Sequence, residues 1–280
     1  MSSEIPGIRK LARDGVQFVR ANRAYVIDYA RPTLVPILAA GAFATIGLYM
    51  SQRQSFGESR SLITHAVLLV TSLISLYGKA CFVMAWHRAS LLGPKREHRV
   101  NPFGLKQGEG RFFGVFLGIS LLGVLAGILA GGLIVVVQIK TSSLFASLIS
   151  GLVAIIVGYT LTLRCAFLLP ARSVGADMSW GEAQRTSKGL MWNWVAAVFI
   201  ADFWLMCLVL SITAAIYALL FATGLAHLAD DHALVVTGPG CLLLYLFGTI
   251  PCALISFVMI ARGITILSWL YQWSVQNRAQ

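Results

Sequence analysis

The chain has 280 residues, 58% of them hydrophobic and 12% charged, with a formal net charge of +11. That balance excludes an ordinary soluble globular domain and fits a polytopic membrane protein, so the chain divides into spans rather than domains. It does not point to nucleic acid, because the cations fall in the gaps between apolar runs and form no separate basic domain.

Residues 1–31 read as a cytoplasmic or interfacial segment. Ile8, Leu11, Gly15, Val19 and Val26 recur at helical spacing, with Arg9, Lys10, Arg13, Gln17 and Arg20 on the opposite face. The pattern predicts an amphipathic helix lying on anionic lipid headgroups, the alternative being a solvated helix packed on the protein's own loops. No cleavable signal peptide is expected, since charge and apolar positions alternate through the first thirty residues.

Residues 32–262 carry six apolar runs, approximately Thr33–Met50, Leu62–Trp86, Phe112–Val137, Leu144–Leu169, Met191–Ala222 and Pro239–Ala261. Each is near the ~20 residues that cross a ~30 Å hydrocarbon layer. Because the runs are continuous rather than alternating, they predict helices and not a barrel. The fold class is therefore an all-α, six-span membrane helix bundle. Sixteen Lys and Arg lie in the N-terminal segment, between Arg88 and Arg111, between Arg172 and Lys188, and at Arg278. Only Arg53, Arg60 and Lys140 lie on the other side, so both termini are expected in the cytoplasm of a bacterial inner membrane. Residues 263–280 keep Trp269, Tyr271 and Trp273, which predicts an interfacial C-terminal helix.

The third span places Gly114 and Gly118 four apart and repeats the spacing at Gly123, Gly127 and Gly131. Glycines so spaced let a neighbouring helix approach closely, either within the chain or in another copy. Between the fourth and fifth spans, Ser179 and Glu182 form a capping-box pattern that starts a short helix. Three hairpins end alike, at Arg88, Arg164 and Arg262, each arginine followed by small residues and an apolar pair. This is either an internal repeat or the common occurrence of arginine at inner boundaries.

Ionisable residues inside spans point to function or to pairing. Lys79 and Arg164 lie close enough to the cytoplasmic side to reach headgroups. Asp202 lies about three turns in and needs a cation, a proton or a water-filled cavity. Arg164, on the preceding span, is its expected partner. The other readings of Asp202 are a transport or proton-relay residue and a lipid headgroup site.

Catalytic signals are sparse. The five cysteines sit in apolar segments without metal spacing, the histidines are scattered, and the Asp230, Asp231 and His232 cluster reads as a solvated loop. No catalytic residue, metal or cofactor is expected.

The segments WHRASLLG, from Trp86, and LRCAFLLPARSVGADMSWGEAQRTSKG, from Leu163, resemble a broad, largely uncharacterised group of bacterial six-span inner-membrane proteins. These are similar to the membrane region of membrane-anchored glycerophosphodiester phosphodiesterases. Arg164, Pro170, Ser179, Glu182, Ala183 and Gly189 match the group's pattern. The sequence shows no phosphodiesterase domain, so the resemblance does not imply that activity. The expected function is a non-enzymatic accessory or scaffold module in a membrane assembly or in envelope and lipid organisation. Its expected partners are anionic headgroups and either other proteins or further copies of itself. A small transporter or lipid-handling protein using Asp202 and Arg164 is the alternative.

Overall fold

A computed structural model describes residues 7–52, 58–100, 106, 109–141, 144–228, 234–236 and 238–277. Its helices are α1 (Ile8–Ala21), α2 (Arg23–Gln52), α3 (Glu58–Leu92), α4 (Glu109–Thr141), α5 (Leu144–Cys165), α6 (Leu168–Ser173), α7 (Trp180–Thr186), α8 (Met191–Ala222), α9 (Gly238–Leu243) and α10 (Ile250–Gln276). A 3-10 turn at Arg96–His98 follows α3, and a π-helical stretch at Leu244–Thr249 leads into α10.

The protein is an all-α, multi-pass membrane bundle. Five stretches are long and apolar enough to cross a bilayer: Leu69–Leu92, Glu109–Val137, Ile149–Ser173, Met191–Ala222 and Leu246–Gln276. Helix suits such sequences because lipid offers no partner for a backbone amide and a helix satisfies its own. The first expected run, Thr33–Met50, lies within α2, whose 30 residues include Pro32 and Pro36. It is not one of the five spans found among the described residues. α2 nevertheless packs closely on α3, helped by Gly78, where a β-carbon would stand 3.1 Å from Ile37 Cγ1 and 3.3 Å from the Thr33 carbonyl.

Packing is concentrated at one end. Trp86 is fully buried there, edge-on to Phe18 and Tyr29 at ring separations of 6.0 Å and stacked on Phe82 at 6.2 Å. A second cluster at the same end buries Leu11, Phe167, Leu168, Ile266, Leu270 and Tyr271. Further along α4, α5 and α8, large apolar side chains such as Leu121, Ile128, Val153 and Leu210 are exposed. In hydrocarbon that exposure costs little, because lipid tails are as apolar as the side chains.

Two expectations need correction. The apolar stripe of α1 does not rest on lipid: Leu11, Ala12, Gly15 and Val19 are buried, the helix packs on α8 and α10, and Arg9, Lys10, Arg13 and Arg20 face outward. A bundle surface offers shaped partners for a narrow stripe, which headgroups do not. The C-terminal segment is not a separate interfacial helix, since α10 runs unbroken through residue 262 and buries Ile264, Thr265, Ile266, Leu267, Ser268, Leu270 and Tyr271. The segment between α8 and α9 also contains a small antiparallel hairpin, Ala226–Leu228 (β1) with Leu234–Val236 (β2). Asp230, Asp231 and His232 lie outside the described residues.

Candidate functional site

The closely packed end of the bundle is tied together by three consecutive residues of α3. Trp86 Nε1 donates to the Ala261 carbonyl at 2.8 Å and lies 2.9 Å from Thr265 Oγ1, both on α10. His87, fully buried, shares a 2.8 Å hydrogen bond between Nδ1 and Ser268 Oγ, again on α10. Arg88 points the other way, donating from Nε to the Ser173 carbonyl at 2.8 Å and from Nη1 to Glu109 Oε1 at 2.9 Å. Successive helical residues diverge by about 100°, so three neighbours can reach α10, α6 and α4 together. Glu109, 2% exposed, also accepts the Lys106 amide at 2.9 Å.

Asp202 is buried in α8, and its partner is not Arg164. Arg262 Nη1 donates to Asp202 Oδ1 at 3.2 Å and to the Ala201 carbonyl at 2.9 Å. The physical reason is the course of α10: because it continues well past residue 262, Arg262 stands inside the bundle beside α8 and not at the end of a span. Trp194 Nε1, donating to the Gly263 carbonyl at 2.8 Å, fixes the same register. Oδ2 of Asp202 and Nε of Arg262 are both buried without a hydrogen-bond partner.

Arg164 instead faces a small pocket of about 30 Å³ between α5 and α8, with Thr160, Ser187, Gly189, Trp192 and Val195 in its wall. Lys79 is exposed on α3 and has no acidic partner within 4.0 Å among the described residues. The structure thus does not bring Asp202, Arg164 and Lys79 into one site. The signal that could have found the true pair was Arg262 itself, which the sequence offered as one of three similar arginines.

The glycine series of α4 is likewise not where its helix meets the chain. A β-carbon on Gly114, Gly127 or Gly131 would meet nothing within 4 Å, and those on Gly118 and Gly123 would only touch Trp180 and Thr162 at 3.7 and 3.9 Å. The close approach uses glycines of the other helix: a β-carbon on Gly158 would lie 2.5 Å from that of Ala126, and one on Gly151 would strike Ile134. Spacing alone does not say which of two paired helices supplies the groove.

Ser179 and Glu182 form the capping box as expected. Ser179 Oγ accepts the Glu182 amide at 3.2 Å, and Glu182 Oε2 accepts the Ser179 amide at 2.7 Å. Asp177, just upstream, pairs with Arg172 and lies 3.7 Å from Arg111 Nη1.

The chain matches no family model, no curated protein and no solved structure. Function must therefore be argued from these contacts. Among the described residues no three His, Cys, Asp or Glu side chains gather as metal ligands. Outside the spans, a wide opening of about 440 Å³ is bordered by Pro32, Arg96, Glu97, Arg99 and Lys106. Nearby, burial holds His98 below the usual imidazole range, with Arg88 and Lys95 adding to the effect and Glu97 opposing it.

Proposed function

We propose that this chain is a non-enzymatic protein of the bacterial inner membrane, an accessory or scaffold module in a membrane assembly or in envelope and lipid organisation. On this reading α2 is a sixth span and both termini are cytoplasmic. The cation asymmetry supports the orientation, as does the gathering of α1, α6, α7 and the C-terminal half of α10 at one end. Its partners are anionic headgroups and neighbouring membrane proteins or further copies. A kinship with the membrane region of glycerophosphodiester phosphodiesterases belongs to the same proposal and rests on the Trp86 and Leu163 segments.

One observation carries this reading. Asp202, the acid set deepest in a span, is 1% exposed and committed to Arg262, so the pair locks α8 to α10. A carboxylate that relays protons or ions needs water at one stage of its cycle. A pair sealed among helices acts instead as a fastening.

Reconstitution tests the proposal. Liposomes containing the protein and a pH-sensitive dye should collapse an imposed proton gradient no faster than empty ones. In polymer nanodiscs cut from native membranes, the chain should travel in an assembly with a stoichiometric partner, above its own 30.3 kDa. A gradient collapse that Asp202→Asn abolishes, or a solitary chain in the nanodiscs, would refute the scaffold reading.

A further inference from the structure

The three similar arginines, Arg88, Arg164 and Arg262, are not treated alike. Arg88 is neutralised by Glu109 and Arg262 by Asp202, each acid being almost fully buried. Arg164 has no acidic group within 4.0 Å among the described residues, although it sits in a half-buried position between two spans. A guanidinium at the edge of hydrocarbon without a counter-charge is costly, and an anion from outside the chain would relieve the cost.

The surroundings state what kind of anion fits. At about 30 Å³ the pocket holds roughly the volume of one water, so it can receive the oxygens of a phosphate but not a whole headgroup. Ser187 and Gly189 close it on the cytoplasmic side, and Met191, Trp192 and Val195 line it from α8. Trp192 stands exposed at the mouth, an indole at the level favoured in the headgroup zone. One turn deeper along the same faces lie Ile156 on α5 and Phe199 on α8, both exposed, followed by Val153 and Phe203. A charged pocket thus opens onto an apolar seam.

We propose that the α5–α8 seam holds one anionic glycerophospholipid, its phosphate on Arg164 and an acyl chain along Ile156 and Phe199. The site reads net charge and not headgroup identity, because only phosphate oxygens enter. A zwitterionic lipid carries its own cation beside the phosphate and binds more weakly. This inference does not depend on the scaffold reading.

Native mass spectrometry of the delipidated protein in mild detergent tests it, with titrations of phosphatidylglycerol, phosphatidylcholine and inorganic phosphate. One phosphatidylglycerol should bind in preference to phosphatidylcholine. Arg164→Gln should weaken that binding about tenfold, the effect of losing a charge-assisted hydrogen bond. Val195→Phe, which fills the pocket and leaves the charge, should weaken it as well, while Arg185→Gln on exposed α7 should not. The Arg164 guanidinium makes no hydrogen bond or ion pair among the described residues, and its carbonyl keeps the Ser187 hydroxyl in any variant, so the melting temperatures of wild type and Arg164→Gln should agree; if that variant fails to fold, Val195→Phe carries the test alone. Equal phosphatidylglycerol binding by the wild type and the pocket variants would overturn the proposal. So would displacement of the lipid by millimolar inorganic phosphate, which would make this a site for the free ion.

Discussion

Breaking the Asp202–Arg262 pair should be asymmetric, and the asymmetry follows from what each residue keeps. Arg262→Gln leaves a carboxylate that is 1% exposed, with Oδ2 already unpartnered and Oδ1 now deprived of its donor. Asp202→Asn leaves a guanidinium that retains the Ala201 carbonyl at 2.9 Å and whose side chain is 18% exposed. Orphaning one member of a buried pair costs about 3 to 5 kcal/mol, so Arg262→Gln belongs at the upper end and Asp202→Asn at or below the lower. Replacing both removes the charge problem, and the double variant should lose less than the sum of the singles by about 2 kcal/mol or more. An ordinary hydrogen bond between membrane helices couples by only about 0.6 kcal/mol, which separates the two cases. Equilibrium unfolding of the four proteins in mixed micelles measures this. Coupling below about 0.5 kcal/mol would refute the pairing, and the parallel cycle of Arg164→Gln with Asp202→Asn should be additive.

Two further outcomes are expected. Gly158→Leu should destabilise the α4–α5 hairpin by about 1 to 3 kcal/mol, because even its β-carbon would lie 2.5 Å from that of Ala126, whereas Gly127→Leu, open around its α-carbon, should change thermal melting of the purified monomer by less than about 0.5 kcal/mol. A large loss at Gly127 in the monomer would mean that α4 is turned the other way. Burial disfavours the charged form of His98, so unfolded chain binds a proton there more readily than folded chain, and that contribution to stability is present above the ordinary imidazole value near pH 6.5 and lost on acidification below it. Melting curves from pH 7.5 to 5 should therefore fall less steeply for His98→Gln than for the wild type, and parallel curves would show that His98 does not titrate on unfolding.

The bundle was legible because membrane spans write themselves in composition: the fifth expected run, Met191–Ala222, coincides with α8. The capping box was legible because both of its bonds join residues three apart. Pairings between distant residues were not. Arg262 was hidden by an assumed span end at Ala261, an error arising because α10 stays apolar after leaving the expected hydrocarbon layer and packs its last turns on protein. The same mistake hid the destination of α1, whose stripe looks identical whether it faces lipid or another helix. The glycines failed for a different reason, since α4 and α5 both carry them and spacing records opportunity without naming the helix that uses it.

The seating of α1 on α10 also sets an order of assembly. Gly15 lies against Ile266, where even a β-carbon would come within 2.9 Å of the isoleucine, so α1 meets a helix distant from it in the sequence. α1 can meet α8 first and completes its seat only once α10 has been made. Until α8 is made its apolar stripe stays largely uncovered. Closure of this end of the bundle is then a non-local event, slow relative to the pairing of adjacent hairpins and open to interception by lipid or a chaperone.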